Sequence, residues 1–114
     1  MFPMIKMAVL KKGRGHHRIW VAYMKCPGVV IAHLGGGANH LGAITLGLQK
    51  WSRTFLRSGH RDDVLTKFFS RSLLKHHRGF SMVSAGVHYP RIGKNNILKI
   101  VEQAKLIGCQ IAKQ

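Results

Sequence analysis

The chain has 114 residues, of which 46% are apolar, so it is long enough for one domain with a buried core and too apolar to be disordered. Nineteen lysines and arginines against three acidic residues give a net charge of +16 with histidine neutral. This charge favours anionic partners, namely nucleotides, nucleic acids, acidic proteins or anionic lipids, without selecting one of them. We expect residues 1–114 to form a single domain.

The sequence also bears on the location of the protein. No apolar run reaches the roughly 18 uncharged residues that a membrane span needs. Lys6 interrupts the apolar start of the chain, and no small-residue cleavage site follows, so a signal peptide is not expected. Cys26 and Cys109 fit no metal or redox spacing and are expected to be free thiols. We therefore expect a cytoplasmic protein without a membrane segment.

The first third of the chain predicts an edge strand and a hairpin. Residues 5–11 mix apolar and basic side chains, and the glycine-containing, basic residues 12–17 predict a turn. Residues 18–24 and the almost entirely apolar residues 29–34 predict two paired strands, joined at Cys26-Pro27-Gly28.

A glycine run follows the hairpin. Gly35-Gly36-Gly37 predicts an interruption of regular structure, because three consecutive glycines are costly in a strand or helix. Residues 41–48 predict a third strand, whose small side chains allow close approach. Residues 51–56 either extend the sheet or form a lid, and the sequence leaves both alternatives open.

The second half of the chain predicts a helix, a strand and a helix. Asp62 and Asp63 complement a helix N-terminus, and Gly79 is a suitable stop after a basic last turn. Residues 80–88 predict a strand, and an apolar stripe predicts a helix from about Asn95. The fold class is therefore α+β, with a mainly antiparallel sheet of about five strands and both helices packed on one face.

Three pieces of sequence carry candidate binding residues. The glycine run, followed by His40, either offers backbone N–H groups to an anion or is a flexible turn. His60-Arg61-Asp62 at the predicted helix start either cradles a phosphate or caps the helix beside solvent-exposed side chains. His88 ends the last predicted strand. A histidine in such a place is more often structural or exposed.

Catalytic and metal chemistry find less support. No glycine-lysine-serine/threonine follows the glycine run, and no helix follows it, so it fits neither nucleotide-loop pattern. The paired histidines, His16-His17 and His76-His77, diverge as sequence neighbours, and there is no cysteine cluster. We therefore predict no catalytic residue and no metal site, although a small enzyme using His60 and His88 as acid and base stays open.

Taken together, the pieces resemble the prenylated-flavin chaperone (LpdD-like) family, similar to the small accessory subunit of gallate-type decarboxylases. That family has Gly-Gly before His-Ile-Gly, then Gly-x-x-His-Lys/Arg-Asp, then Ala-Gly-Ile-His. The resemblance covers about residues 17–111. Three segments carry it here: Gly35-Gly36-Gly37-Ala38-Asn39-His40-Leu41-Gly42, Ser58-Gly59-His60-Arg61-Asp62-Asp63, and Ser84-Ala85-Gly86-Val87-His88.

The resemblance implies an accessory, non-catalytic role: binding prenylated FMN, or FMN, and delivering or maturing it for a UbiD-like decarboxylase, with a flavin prenyltransferase as a further partner. The residues that it implies around the cofactor are Gly36, Gly37, His40, His60, Arg61 and His88. A homo-oligomer is left open, and the alternative function is a basic domain that binds nucleic acid non-specifically.

Two positions depart from the family pattern. Asn39 stands where proline is common, and Tyr89-Pro90-Arg91 follows the last histidine where the family usually has asparagine or aspartate. The second departure bears on whether the ligand is prenylated FMN itself or another anion.

Overall fold

The computed structural model describes residues 4–114, so the first three residues of the predicted single domain lie outside the described part. Each apolar pattern in the sequence becomes an element of the fold. The elements, in chain order, are β1 (Lys6–Lys12), a 3-10 turn (Gly15–His17), β2 (Ile19–Cys26), β3 (Val29–Gly37), β4 (Ala43–Leu48), β5 (Trp51–Leu56), α1 (Asp63–Leu74), β6 (Phe80–His88) and α2 (Lys94–Lys113).

The six strands form one sheet in the order β1-β2-β3-β6-β4-β5. β6 pairs parallel with β3 and antiparallel with β4, which places it between two strands that precede it in the chain. The sheet is therefore mixed, with six strands, and the prediction of a mainly antiparallel sheet of about five strands was wrong. The parallel pairing joins segments about 50 residues apart in sequence, and no local pattern specifies it.

Both helices pack on the same face of the sheet, as predicted, because alternate strand residues are apolar and turn towards them. β2 contributes Ile19 and Val21, and β3 contributes Val30 and Leu34, all fully buried. The helices complete the core with side chains at helical spacing: Leu65, Phe69 and Leu73 from α1, and Ile100, Ala104, Ile107 and Ile111 from α2. Neither helix in the described part of the chain is long and apolar enough to cross a membrane.

Buried hydroxyl groups fix α1 to the sheet. Thr45 of β4 donates to Thr66 of α1 at 2.8 Å and also bonds Thr54 of β5 at 2.8 Å. Ser70 of α1 bonds Ser81 of β6 at 2.9 Å. These paired polar groups satisfy one another inside the protein, so the start of α1 has a defined position against β4 and β6.

The glycine run does not interrupt the sheet, contrary to the prediction, because it forms the end of β3. Its pairing with β6 continues to Gly37 opposite His88. Gly35 has no room for a Cβ because the indole of Trp20 covers it, and the Cβ position of Gly37 is taken by the His88 backbone. Neighbouring groups therefore exploit the missing side chains, which offsets the conformational cost of glycine in a strand.

The structure decides one open alternative and corrects one predicted helix end. Residues 51–56 form an edge strand, which decides between the sheet and the lid. Helix α1 ends at Leu74, so His76 and His77 lie beyond it rather than in its last turn. His77 is buried, and the turn that contains it leads to Gly79, whose positive φ of 120° brings the chain against Gly28.

Candidate functional site

The site lies where three chain segments meet at one edge of the sheet. Because β3 and β6 are parallel, their carboxyl ends reach this edge together, and the chain returns along β4 from the same edge. His40 lies in the β3–β4 connection, Asp62 directly precedes α1, and His88 ends β6. The topology therefore brings together residues that are 22 and 26 positions apart in sequence.

Asp62 is the buried centre of this arrangement, with 7% of its surface exposed. Its Oδ1 accepts a hydrogen bond of 3.0 Å from the Val87 backbone N–H, and its Oδ2 lies 3.0 Å from Nε2 of His40. Nδ1 of His60 lies 3.7 Å from the same Oδ2. Of the two alternatives for this segment, helix capping by the carboxylate is not observed, because Asp62 has helical dihedral angles and makes no side-chain cap bond.

Two glycines make room for this carboxylate and for the His40 segment. A Cβ on Gly42 would coincide with the Asp62 carboxylate, and a Cβ on Gly86 would coincide with the His40 carbonyl. These glycines belong to the segments His40-Leu41-Gly42 and Gly86-Val87-His88. A glycine therefore accompanies each histidine because the histidine, the carboxylate and the strand backbones approach one another closely.

The imidazole rings form a cluster. The rings of His40 and His60 are 4.9 Å apart between centroids, and those of His40 and His88 are 6.3 Å apart in an edge-on arrangement. Nδ1 of His40 lies 3.2 Å from the Ala38 carbonyl oxygen, which fixes the ring from its other side. His40, His60 and Asp62 together offer three ligand atoms within 4.8 Å of one another.

A cavity of about 600 Å³ opens beside the cluster, within the usual size range of cofactor sites. Its lining combines polar and apolar side chains. The polar lining residues are His40, His60, Arg61, Asp62, His88, Tyr89 and Arg91, and the apolar ones include Val64, Leu65, Val87, Ile92, Ile97, Ile100 and Val101.

Four of the six predicted site residues line this single cavity: His40, His60, Arg61 and His88. Gly36 and Gly37 are not among the residues described as lining it. They lie in the β3–β6 ladder, where the backbone of Ala38 continues the pairing by donating to the His88 carbonyl at 3.0 Å. Their observed role is to let neighbouring backbone and side-chain groups approach.

Arg61 is exposed and only loosely held. Its Nε donates a 3.2 Å hydrogen bond to Oδ1 of Asp63, while 79% of its side chain faces solvent. Burial raises the pKa of the Asp63 carboxyl, but the hydrogen bond and charge of Arg61, together with Lys67, bring this pKa below its usual value. Without a ligand, Arg61 is therefore paired with Asp63 through Nε, and its other N–H groups remain available to an anion.

Sequence reasoning missed part of the site. Asp62 was predicted at the helix start, but its link to Val87 spans 25 residues and has no sequence signal. Arg91 and the first turns of α2 also line the cavity. The sequence marks Arg91 only as part of a departure from the family pattern, and α2 only as a helix packed on the sheet. Ile97 belongs to the apolar stripe that predicts α2, but it is 45% exposed and lines the cavity, and the sequence carries no signal that separates it from the buried residues of the stripe.

The segment Tyr89-Pro90-Arg91, which departs from the family pattern, has a structural role at this edge of the sheet. The Tyr89 hydroxyl donates to the Arg18 carbonyl, and the ring stacks on His16 with centroids 5.3 Å apart. This tyrosine therefore ties the end of β6 to the chain entering β2. It also brings Arg91, with an unusual positive φ of 54°, to the rim of the cavity.

A second cavity, of about 620 Å³, lies between α1 and the β4–β5 turn and is strongly basic. Four cationic side chains line it together with Trp51 and several polar groups: Lys50, Lys67, Arg71 and Lys75. It contains none of the predicted site residues. Part of the large positive charge is therefore concentrated away from the histidine cluster.

Comparison with known proteins points to one family. A comparison with curated proteins found no match to this sequence. The family model described as the prenylated flavin chaperone LpdD-like domain matches residues 13–114. This match extends from the chain before β2 through both helices and includes every residue of the histidine cluster. The chain belongs to the prenylated flavin chaperone LpdD-like family.

Proposed function

We propose that this protein binds prenylated FMN in the cavity beside the histidine cluster and delivers it to a UbiD-like decarboxylase. The family description names a prenylated flavin chaperone, which supports this ligand and this kind of role. The single observation that carries the proposal is the lining of this cavity, which combines cationic and imidazole groups with apolar residues of α2.

The lining fits the chemistry of this ligand. Arg61 and Arg91 supply positive charge for the phosphate, and charge-assisted hydrogen bonds of this type are among the stronger ones in proteins. His60 and His88 offer ring nitrogens to the polar edge of a flavin, while Ile97 and Ile100 offer apolar contact to the ring system and the prenyl carbons. Gly36 and Gly37 contribute indirectly in this proposal, by shaping the β3–β6 edge.

We infer an accessory role rather than a catalytic one. The chain has only three acidic residues, and the carboxylate nearest to the cavity, Asp62, is already engaged by Val87 and His40. The cofactor would come from a flavin prenyltransferase and pass to the decarboxylase. An exposed, weakly held phosphate ligand such as Arg61 suits a protein that must release what it binds.

Two measurements test this function. The first is titration of the purified protein with prenylated FMN and with FMN, followed by absorbance and fluorescence under anaerobic conditions. The second compares the decarboxylation rate of an apo UbiD-like enzyme given the loaded protein with the rate given free cofactor at equal concentration. We expect saturable binding and faster or more complete activation. No binding of either flavin would exclude the proposal, as would equal activation by free cofactor.

A second candidate function is non-specific binding of nucleic acid. The four cations around the basic cavity favour it, since lysine and arginine side chains grouped on one surface neutralise phosphates without reading bases. This surface is separate from the flavin cavity, so the two functions predict loss by different substitutions. A polyanion that competes with prenylated FMN would argue against this separation.

A further inference from the structure

We propose that His40, His60 and Asp62, which line the cavity, bind one divalent transition-metal ion of the zinc type. The three residues come from the β3–β4 connection, the loop before α1 and the α1 entry, so no sequence motif joins them. This proposal concerns the donor cluster itself and does not need the flavin function to be correct.

The spacing of the donor atoms suits a metal. With zinc bonds of about 2.0–2.1 Å, two ligands of a tetrahedral site lie roughly 3.3 Å apart. Oδ2 of Asp62 is 3.0 Å from Nε2 of His40 and 3.7 Å from Nδ1 of His60. These two distances lie on either side of the tetrahedral value, and all three donor atoms lie within 4.8 Å of one another, so the histidine rings must move closer together only slightly to enclose an ion.

The hydrogen bonds of His40 call for a cation. Its Nδ1 faces the Ala38 carbonyl oxygen at 3.2 Å, and its Nε2 faces the Asp62 carboxylate at 3.0 Å, so both neighbours are acceptors. A neutral imidazole has one N–H and can satisfy only one of them. Either a second proton on the ring or a metal ion between Nε2 and Oδ2 resolves this conflict. We place a metal ion there, because Nδ1–H then donates to Ala38, as in many metal-bound histidines.

Asp62 is held in the same manner. The Val87 N–H occupies Oδ1, which leaves Oδ2 directed at the two imidazoles, and the missing side chain of Gly42 leaves space for the carboxylate. A carboxylate that is 93% buried needs a compensating charge, and buried charges are generally paired or bound to metal. No lysine or arginine is recorded within ion-pair distance of Asp62, and its recorded partners among residues 4–114 are the two histidines.

The donor set selects the class of metal. Two imidazoles and one carboxylate suit zinc and neighbouring transition metals, whereas magnesium and calcium prefer oxygen ligands throughout. Three protein ligands also leave a coordination position open, and the cluster borders the cavity. We infer that an anionic group of the bound ligand completes the shell, a step that rests on the proposed function.

The site is tested with zinc chloride on untagged protein that has been stripped of metal with a chelator. Competition with a chromophoric zinc chelator should give one strong site per chain. His60→Ala and Asp62→Asn should each weaken this site by at least about tenfold. Asp62→Asn keeps an oxygen for the Val87 N–H, and His60 is partly exposed, so both variants are expected to fold. His76→Ala removes an exposed histidine outside the cluster and serves as the matched control, with a change below about twofold.

The outcomes separate this inference from the flavin function. Equal losses in His76→Ala and His60→Ala, or only weak multiple binding, would overturn the metal site. Zinc binding with no flavin binding would keep the metal site and refute the proposed function. Titration of prenylated FMN into metal-free and zinc-loaded protein tests the open position, where we expect at least about fivefold tighter binding with zinc. Equal affinities would overturn the shared coordination.

Discussion

Gly42 lies against the Asp62 carboxylate so closely that a Cβ at position 42 would occupy the carboxylate position. The pair joins the first residue after the His40-Leu41 segment to the residue that precedes α1. Since Asp62 in turn contacts His40 and the Val87 backbone, the absence of one methyl group sets the geometry of the whole cluster.

Gly42→Ala is therefore expected to abolish high-affinity ligand binding and to lower the free energy of unfolding by about 1–3 kcal/mol, as overpacking does. Binding is measured by flavin fluorescence and stability by urea denaturation. Gly93→Ala is the control, because a Cβ there meets no atom within 4 Å. Unchanged binding in Gly42→Ala would show that Asp62 does not set the site.

Arg61→Ala should weaken binding of prenylated FMN by roughly tenfold to a hundredfold, because a charge-assisted bond to phosphate is worth about 1.5–3 kcal/mol. Stability should hardly change, since the pair with Asp63 is exposed on the arginine side and worth at most about 1 kcal/mol. Titration and thermal melting of the same samples check both expectations. Arg53→Ala, an exposed cation on β5, is the matched control. Wild-type affinity in Arg61→Ala would remove this residue from the phosphate site.

The stability of the protein should fall as the pH drops from 7 to 5. Burial, together with the charge of Lys25, lowers the pKa of His77 below 6.5, while contact with the Phe80 backbone opposes the shift. A lowered pKa means that the native state favours the neutral ring. The contribution of His77 to the free energy of unfolding is therefore fully present above pH 6.5. It is lost as the pH falls through the lower pKa that His77 has in the native state.

His77→Phe should flatten this pH dependence, because Nε2 of His77 is buried without a hydrogen-bond partner among the described residues and its protonation is costly. Urea denaturation at several pH values measures the slope. His76→Phe, at the exposed neighbouring position, should leave the slope unchanged. An identical slope in His77→Phe and the wild type would assign the pH dependence to other groups.

Any nucleic-acid binding should be independent of sequence and should weaken steeply with salt, because it rests on phosphate neutralisation. The double variant Arg71→Ala, Lys75→Ala should weaken it and leave flavin affinity unchanged, since both residues line the basic cavity and not the histidine cavity. Electrophoretic shifts at increasing salt measure the effect. A strong base preference that persists at high salt would contradict this interpretation of the charge.

Much of the secondary structure could be predicted because its signals are local. The α2 stripe from Ile100 to Ile111 repeats at helical spacing and is buried, and the hairpin around Gly28 has an obvious turn. The position of β6 could not be predicted, because its pairing with β3 depends on distant segments. The strand conformation of Gly35 was missed for a similar reason, since Trp20 covers it from the neighbouring strand.

The candidate site was predictable in part. His88 ends β6, His40 and His60 lie in short connections beside element ends, and the edge of the sheet brings the three together. The role of Asp62 was not predictable, because an aspartate before a helix is usually a cap. Here its carboxylate instead contacts the Val87 N–H and two histidines, and both Val87 and His40 are distant from it in sequence. Arg91 joined the cavity through a loop conformation that its sequence does not specify.

The assembly of the site from segments around residues 40, 62 and 88 couples occupancy to folding. An unfolded chain scatters these segments, so a ligand that needs all of them binds the native state alone. A ligand present at a hundred times its dissociation constant then adds about 2.7 kcal/mol to the free energy of unfolding. Under the proposed function, the ligand-bound protein should consequently resist proteolysis longer than the ligand-free protein, and its cellular lifetime would follow the supply of the ligand.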